Sequence, residues 1–287
     1  MNEKKTFKNL LNPLFNSEFG RDLLVRLKNI NVDTVCPDPK YIFRPYSGEF
    51  VTPDTVKVVI FFEEVIADRN IADGFGASSL DPKIRHRDQG KLLNMLYNSL
   101  YPYMNAEQFK NLNSSTSVIP WVKKGILPIN MRMTTQNGIP GAHRGNFDWV
   151  EVSGHMVREL SRYRDNPERP LLFIFIGEAK KLMSYIQLAH HNYLTIDELT
   201  GIYNSAVFNE KNFFKLISQF FINFYPQECD YRELSIQEAI DKDKVLKLYQ
   251  NNVVKQLLPY DDTMPGVIAS QFDPKMKINL GPDLILR

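Results

Sequence analysis

Cysteine is scarce in this chain of 287 residues, which has only two, Cys36 and Cys229. Their separation offers neither a disulfide framework nor the close spacing of metal-binding cysteines, so the sequence favours a reducing compartment. Long apolar runs are also absent, because no stretch of about 18 apolar residues occurs, and this argues against a membrane-spanning helix. The N-terminus lacks the apolar core of a secretory signal. We therefore expect a soluble, intracellular protein that uses no metal or other cofactor and contacts no membrane.

The chain also lacks a large excess of either charge, since 35 basic and 33 acidic residues leave a net charge of only +2. Any affinity for nucleic acid must therefore come from local basic patches. Apolar residues make up 43% of the chain and aromatic residues 12%, which is enough for a packed core and excludes global disorder. The sequence contains no internal repeat and no low-complexity tract.

Three continuous apolar runs are typical of strands buried on both faces of a parallel sheet. They cover residues 57–62, 125–130 and 171–177. Apolar residues at helical spacing predict helices at residues 17–30, 90–100, 149–163, 180–188 and 212–224. Strands that alternate with helices predict an α/β domain with a parallel sheet.

Composition divides the chain into three parts. We assign residues 1–12 to a basic N-terminal arm, 13–226 to the α/β domain, and 227–287 to a C-terminal helix and irregular tail. The helix, at about 235–258, is charged and amphipathic. Its apolar face is suited to docking a protein partner or a second copy of the chain.

Polar residues stand where two of the predicted strands end. Glu63 and Glu64 follow the first run, and Asn130 ends the second. In open α/β sheets, ligands bind in the crevice beyond the carboxyl ends of the strands. This place is therefore the candidate functional site, although acidic residues after a strand are also common as ordinary solvated loop residues.

These strand ends and their spacing resemble the uracil-DNA glycosylase family over about residues 13–224. The resemblance is strongest in Pro39–Ile60 (PKYIFRPYSGEFVTPDTVKVVI), in Trp121–Asn130 (WVKKGILPIN) and in the helix that begins at Asn212. It implies a three-layer α/β/α sandwich with a short central parallel sheet. Members of that family bind a flipped uracil in the crevice at the strand ends.

The catalytic positions of the family are altered in this sequence. Its water-activating loop, Gly-Gln-Asp-Pro-Tyr-His, falls on residues 62–67 and places Glu64 at the catalytic aspartate. Its His-Pro-Ser-Pro-Leu-Ser loop falls on residues 197–202 and places Asp197 at the catalytic histidine. An ionised aspartate cannot donate a hydrogen bond to the departing base, and losing one such donor typically lowers the rate about 10²–10³-fold. We therefore expect no catalytic residue, with Glu63, Glu64 and Asp197 as degenerate positions that make the crevice acidic.

The resemblance implies that the base pocket survives in part. Ile66 stands at the tyrosine that excludes the methyl group of thymine, and Ala77 stands at the phenylalanine on which uracil stacks. Losing that stack gives up about 1–3 kcal/mol of base affinity. Asn130 retains the asparagine that reads the base, or else it only caps a strand end. The same changes leave open an active glycosylase for a bulkier, modified pyrimidine.

Basic residues on loops predicted for the same general face favour contacts with phosphates. The predicted nucleic-acid-binding set is Lys83, Arg85, His86, Arg87, Lys123, Lys124, Arg132, His143 and Arg144. Alternatively, each charge run is a solvated face. Our leading hypothesis is a catalytically inactive protein that binds RNA, single-stranded DNA or duplex DNA, within a viral or phage complex in the host cytoplasm or at the site of replication. The alternatives are the altered glycosylase and a protein-interaction scaffold that assembles through residues 235–287.

Overall fold

A computed structural model describes residues 5–80, 117–186 and 191–196, together with residues 217, 220, 221 and 223–225. The predicted helices at 90–100 and 235–258 lie outside these residues, and the division into domains stays a prediction. The α-helices of the described part are α1 (Phe7–Phe15), α2 (Glu18–Lys28), α3 (Ile119–Lys123) and α4 (Trp149–Tyr163). Its strands are β1 (Val35–Cys36), β2 (Val58–Glu64), β3 (Ile126–Arg132), β4 (Thr135–Gln136), β5 (Leu172–Ile176) and β6 (Asn192–Ile196). Its 3-10 helices are η1 (Pro39–Tyr41), η2 (Arg44–Tyr46) and η3 (Gly177–Tyr185).

Four of the strands form a parallel sheet in the order β3-β2-β5-β6. β2 pairs with both β3 and β5, and its residues from Val58 to Phe62 are buried, as expected for a strand covered on both faces. The ring of Phe61 stacks on that of its register partner Phe175, with ring centroids 5.5 Å apart. These features confirm the α/β fold with a parallel sheet.

A proline, Pro128, lies in the middle of β3, opposite Ile60 of β2. Its carbonyl accepts a hydrogen bond from the backbone N–H of Gly76 at 3.0 Å, so it points away from β2. The N–H and C=O of one strand residue point to the same side, and the missing N–H of Pro128 therefore removes no bond between β2 and β3.

α4 has the bounds that its apolar spacing predicts. Two side chains of its first turns fix it to the chain at the end of β3. The indole Nε1 of Trp149 donates to Thr134 Oγ1 at 2.8 Å, and Ser153 Oγ donates to the carbonyl of Met131 at 2.9 Å. α4 therefore begins beside the carboxyl end of the sheet.

The first residues differ from the prediction. Residues 7–12, assigned to a basic arm, belong to α1, because Phe7, Leu10 and Leu14 recur at helical spacing and are buried. η3 replaces the α-helix predicted at 180–188. β6 has no counterpart in the prediction, since its sequence lacks a continuous apolar run.

Candidate functional site

The residues expected in the crevice lie side by side at the carboxyl ends of the strands. Glu64, the last residue of β2, is the register partner of Arg132, the last residue of β3. Two positions earlier, Phe62 is the partner of Asn130. Side chains two residues apart on a strand point to the same face, so Asn130 and Arg132 share one face of β3. The strand ends thus bring the predicted polar residues together.

Glu64 is held in an ion pair. Arg144 Nη2 lies 3.0 Å from Glu64 Oε1, and the side chains are 18% exposed for Glu64 and 48% exposed for Arg144. The hydrogen bond to Glu64 is also the main cause that raises the pKa of the Arg144 guanidinium. Arg144 was expected to contact phosphate, but in this structure its guanidinium forms an ion pair with a carboxylate of the protein. Its part in a nucleic-acid interface stays a prediction.

Glu63 closes over the turn that follows β5. Its Oε1 accepts a hydrogen bond from the backbone N–H of Glu178 at 3.0 Å. Gly177 has a φ of +59°, which favours glycine, and a Cβ there would lie 1.8 Å from Glu63 Oε1, so a larger residue would displace this carboxylate. The resemblance described above implies that this turn, Gly177-Glu178, corresponds to a phosphate-binding Gly-Ser turn of the family. In this structure the backbone N–H of Glu178 already donates to the carboxylate of Glu63.

Arg132 is on β3 and is buried, so the prediction that it lies on a loop is wrong. Its Nη2 lies 2.6 Å from Glu178 Oε2. This bond, followed by one from Lys181, lowers the pKa of Glu178 to about 2. Glu178 Oε1 also lies 3.7 Å from Arg144 Nη1. Acidic and basic groups therefore alternate around the strand ends, and the described crevice is not simply acidic.

Asn130 is only 2% exposed. Its Nδ2 donates to the carbonyl of Phe75 at 3.3 Å, while its Oδ1 has no hydrogen-bond partner among the residues that the structure describes. Phe75 belongs to the segment 73–78, which we call the pocket loop. The loop lies against β3 through the bond from Gly76 to Pro128. A base could reach Asn130 only after the residues that bury it had moved.

Asp73 fixes the pocket loop from within. It is 1% exposed, and it accepts hydrogen bonds from the backbone N–H of Phe75 at 3.0 Å and from Ser78 Oγ at 2.6 Å. Arg44 Nη1 lies 3.9 Å from Asp73 Oδ2. Burial raises the pKa of Asp73 to about 6, and these partners oppose the rise. Sequence reasoning missed Asp73 because an Asp-Gly pair indicates a turn and says nothing about burial.

The two other pocket positions contribute no polar group. Ala77 is buried with a φ of +53°, a backbone conformation that costs about 1–2 kcal/mol outside glycine. Ile66 packs against a small apolar cluster of Cys36, Val65 and Ala72. The structure therefore brings Asn130 and Ala77 to the pocket loop and directs Ile66 toward this cluster.

Lys123 and Lys124 are wrongly placed by the prediction. They precede β3, at the amino end of the sheet, whereas Glu64 and Asn130 lie toward its carboxyl end. The seven residues of β3 separate the two ends by roughly 20 Å. His143 does lie near the end of β3, where its Nδ1 is 3.1 Å from Thr134 Oγ1. Burial lowers the pKa of His143, which disfavours the positively charged form of the side chain.

Several predicted residues lie outside the described part of the chain. They are Lys83, Arg85, His86, Arg87, Asp197 and the segment 235–287. Within the described part, no group of three His, Cys, Asp or Glu side chains is placed to hold a metal ion. No helix there is long and apolar enough to cross a membrane.

Comparison with known proteins finds similarity to uracil-DNA glycosylases. No protein-family model matches it. The uracil-DNA glycosylase of Bacillus cereus strain AH820 is 27% identical over 176 residues, which are 60% of this chain and 72% of that protein. The uracil-DNA glycosylase of Bacillus thuringiensis strain Al Hakam matches to the same extent. Among solved structures, mimivirus uracil-DNA glycosylase is similar in fold, with a TM-score of 0.51 and 18% identity over 67% of each chain. These matches confirm the resemblance that the strand-end motifs indicated.

Proposed function

We propose that the chain, which is similar in sequence and fold to uracil-DNA glycosylases, binds nucleic acid and does not excise uracil. The observation that carries the proposal is the ion pair between Glu64 and Arg144, whose nearest atoms are 3.0 Å apart. Glu64 stands at the position of the family's catalytic aspartate. Related proteins carry the name of enzymes that act on DNA, and this supports DNA or a similar polymer as the ligand.

The pairing of Glu64 opposes the chemistry of base excision. Hydrolysis of an N-glycosidic bond leaves positive charge on the sugar, and a free carboxylate beneath the sugar stabilises it. The Arg144 guanidinium offsets that carboxylate and adds a cation of its own. Two unit charges about 4 Å apart interact by about 4 kcal/mol at an effective dielectric constant near 20. A repulsion of this order would cancel most of the benefit of Glu64.

Access to the base-reading residue is also restricted. Asn130 is 2% exposed, and its amide nitrogen is bonded to Phe75 of the pocket loop. The aspartate that the sequence places at the histidine position, Asp197, provides no donor for the leaving base while it is ionised. Both observations support a protein that retains the fold and has lost the reaction.

The proposed lack of uracil excision is tested with a single-stranded oligonucleotide that contains uracil, and abasic sites are detected by alkaline cleavage. We expect no product from the wild-type protein or from the control Arg162→Ala, which removes an exposed arginine of α4. Abasic sites made by the wild-type protein and abolished by Glu64→Gln would overturn the proposal.

The test of binding is a titration with RNA, single-stranded DNA and duplex DNA at two salt concentrations. Binding through phosphates should weaken steeply as salt rises. Loss of affinity in an Arg85→Ala/Arg87→Ala variant would support the basic cluster at residues 83–87 as part of the interface. Absence of binding to all three polymers at low salt would refute the binding function.

A second candidate, an active glycosylase for a modified pyrimidine, is favoured by one observation. Asn130 Oδ1 is buried without a partner in the described part of the chain, and such an acceptor suits the N–H of a pyrimidine ring. Ala77 leaves more room than an aromatic residue would. Abasic-site formation on oligonucleotides with bulky pyrimidines, absent on uracil and lost in Glu64→Gln, would establish this alternative.

A further inference from the structure

A second surface beside the crevice combines aromatic rings with ammonium groups. It is an open cleft of about 510 Å³ between α1 and the turns η1 and η2. We call it the α1 cleft. Its lining includes Lys8, Leu11 and Phe15 of α1, and Lys40, Tyr41 and Phe43 at the turns. This volume lies within the range of about 300–1,000 Å³ that small-ligand sites occupy.

The amphipathic character of α1 explains why Lys8 and Phe15 remain at least partly exposed, whereas Leu11, which also lines the cleft, is buried. The stripe of Phe7, Leu10 and Leu14 is buried in the core. The α1 residues of the cleft recur three and four positions apart, so they form the adjacent stripe of the same helix. α1 is therefore held rigidly by one stripe while it presents the other.

Two of the basic side chains in the cleft, Lys8 and Lys40, are available to contact a ligand. Arg44 and Glu49 lie on its wall and form an ion pair at 3.8 Å, and Arg44 also approaches Asp73 at 3.9 Å. Lys8 and Lys40 form no ion pair with a carboxylate in the described part of the chain. Both are exposed, and Lys40 Nζ lies 4.8 Å from the centroid of the Tyr41 ring. The cleft thus favours an anionic occupant.

The rings of the cleft are held in place and only partly covered. Phe15 and Phe43 meet edge to face with centroids 5.6 Å apart, and Phe43 rests in turn on the buried Trp149 at 6.1 Å. Phe15, Tyr41 and Phe43 are half-buried. Fixed, partly exposed rings next to lysines are the combination on which single-stranded nucleic acids stack their bases.

The cleft adjoins the pocket loop. The guanidinium carbon of Arg44 lies 5.6 Å from the centroid of the Phe75 ring. Gly74 sits so close to Tyr41 that a Cβ on it would be 2.1 Å from the Tyr41 carbonyl oxygen. A strand that lies along the crevice can therefore continue into the cleft.

We propose that the α1 cleft binds one nucleotide of a single-stranded nucleic acid. The base packs against Phe15, Tyr41 and Phe43, and the adjoining phosphates lie against Lys8 and Lys40. A duplex is disfavoured because its bases are already stacked and paired, so they offer no free face to the rings. The assignment rests on the proposed nucleic-acid binding, and it adds a contact surface made of described residues.

The test measures binding of a short fluorescein-labelled oligothymidylate to the full chain by anisotropy over a series of salt concentrations. Lys8→Gln/Lys40→Gln should weaken binding about tenfold or more at low salt. It should also make the plot of log affinity against log salt less steep by about 1.4, because each phosphate contact on a single strand contributes about 0.7. Phe15→Leu should weaken binding about tenfold and leave that slope unchanged, because it removes stacking and no charge.

The control variant Lys28→Gln/Arg162→Gln removes the same charge from exposed positions of α2 and α4, and it should bind like the wild type. Oligonucleotide binding that both cleft variants leave unchanged would overturn the cleft while the proposed function stands. If the wild type did not bind the oligothymidylate, the assignment of the cleft would be overturned; the proposed function would fail with it only if RNA and duplex DNA also failed to bind. Equal displacement by polyglutamate would show a site for anionic peptides, and binding of thymidine monophosphate as tight as that of the strand would show a site for free nucleotides. Either result would overturn the assignment to a strand.

Discussion

Replacing Asp73 with asparagine removes a carboxyl group that is 1% exposed in the folded protein. Asparagine has nearly the same shape and can still accept a hydrogen bond from Phe75 N–H or Ser78 Oγ. It cannot ionise. The substitution therefore isolates the effect of a charge beneath the pocket loop, with Arg44 as the one cation that the structure places within 4 Å of the carboxylate in the described part of the chain.

The magnitude follows from the pKa of Asp73, which burial raises from 3.8 to about 6. A difference of about 2 between the folded and unfolded values, at about 1.4 kcal/mol for each, corresponds to about 3 kcal/mol. The folded value is the higher one, so the folded state binds the proton more tightly. This contribution to stability is complete only well below pH 3.8, and it is lost as the pH rises through 6.

The assay is urea denaturation of the wild type and of Asp73→Asn at several pH values between 4 and 7.5. The difference in free energy of unfolding between the two proteins should change by about 2.5 kcal/mol over this range, with the wild type gaining relative to the variant at low pH. Asp22→Asn, at an exposed position of α2, should show no such change. The difference between the proteins also removes the opposing contribution of His143, whose pKa is lowered. A difference that stays flat from pH 4 to 7.5 would refute the claim that burial raises the pKa of Asp73.

Three further substitutions test the packing of the sheet and of the chain at its two ends by the same denaturation assay. Gly177→Ala should lower the free energy of unfolding by at least about 2 kcal/mol, because its Cβ would lie 1.8 Å from Glu63 Oε1. The matched control is Gly138→Ala, whose φ of +78° is also positive but whose Cβ would meet nothing within 4 Å, and it should cost only about 1 kcal/mol. Equal costs would show that Glu63 simply moves aside. Arg164→Lys should cost about 2–3 kcal/mol, because Arg164 Nη1 donates to three carbonyls just before β2 at 2.6–3.0 Å; a cost near zero would show that an ammonium replaces it. Phe61→Ala should cost about 3–5 kcal/mol through a cavity at the centre of the sheet, and a loss below 1 kcal/mol would contradict that packing.

The sheet and α4 could be predicted because their signals are local. Continuous apolar runs mark β2, β3 and β5, and helical spacing marks α4 to the residue. The positions at which the strands end were harder to predict. Both β2 and β3 continue for two residues past their predicted ends, since backbone pairing extends through Glu64 and Arg132 although their side chains are polar.

The contacts of the candidate site could not be predicted, because they join residues that are distant in sequence. Glu64 and Arg144 are 80 positions apart, and Arg132 and Glu178 are 46 apart. From the sequence, each is an exposed charge available to a ligand. Whether a charge is free depends on its folded neighbours, and no periodicity reports this.

Pro128 also determines how the molecule can associate. Among the strands that the structure describes, β3 is the outermost on its side of the sheet. An incoming strand would need donors and acceptors along that margin, but residue 128 has no N–H and its carbonyl is already bonded to Gly76. Sheet extension by a second molecule is therefore interrupted in the middle of β3. We expect any self-assembly of this protein to proceed through side-chain surfaces and not through addition of a strand there.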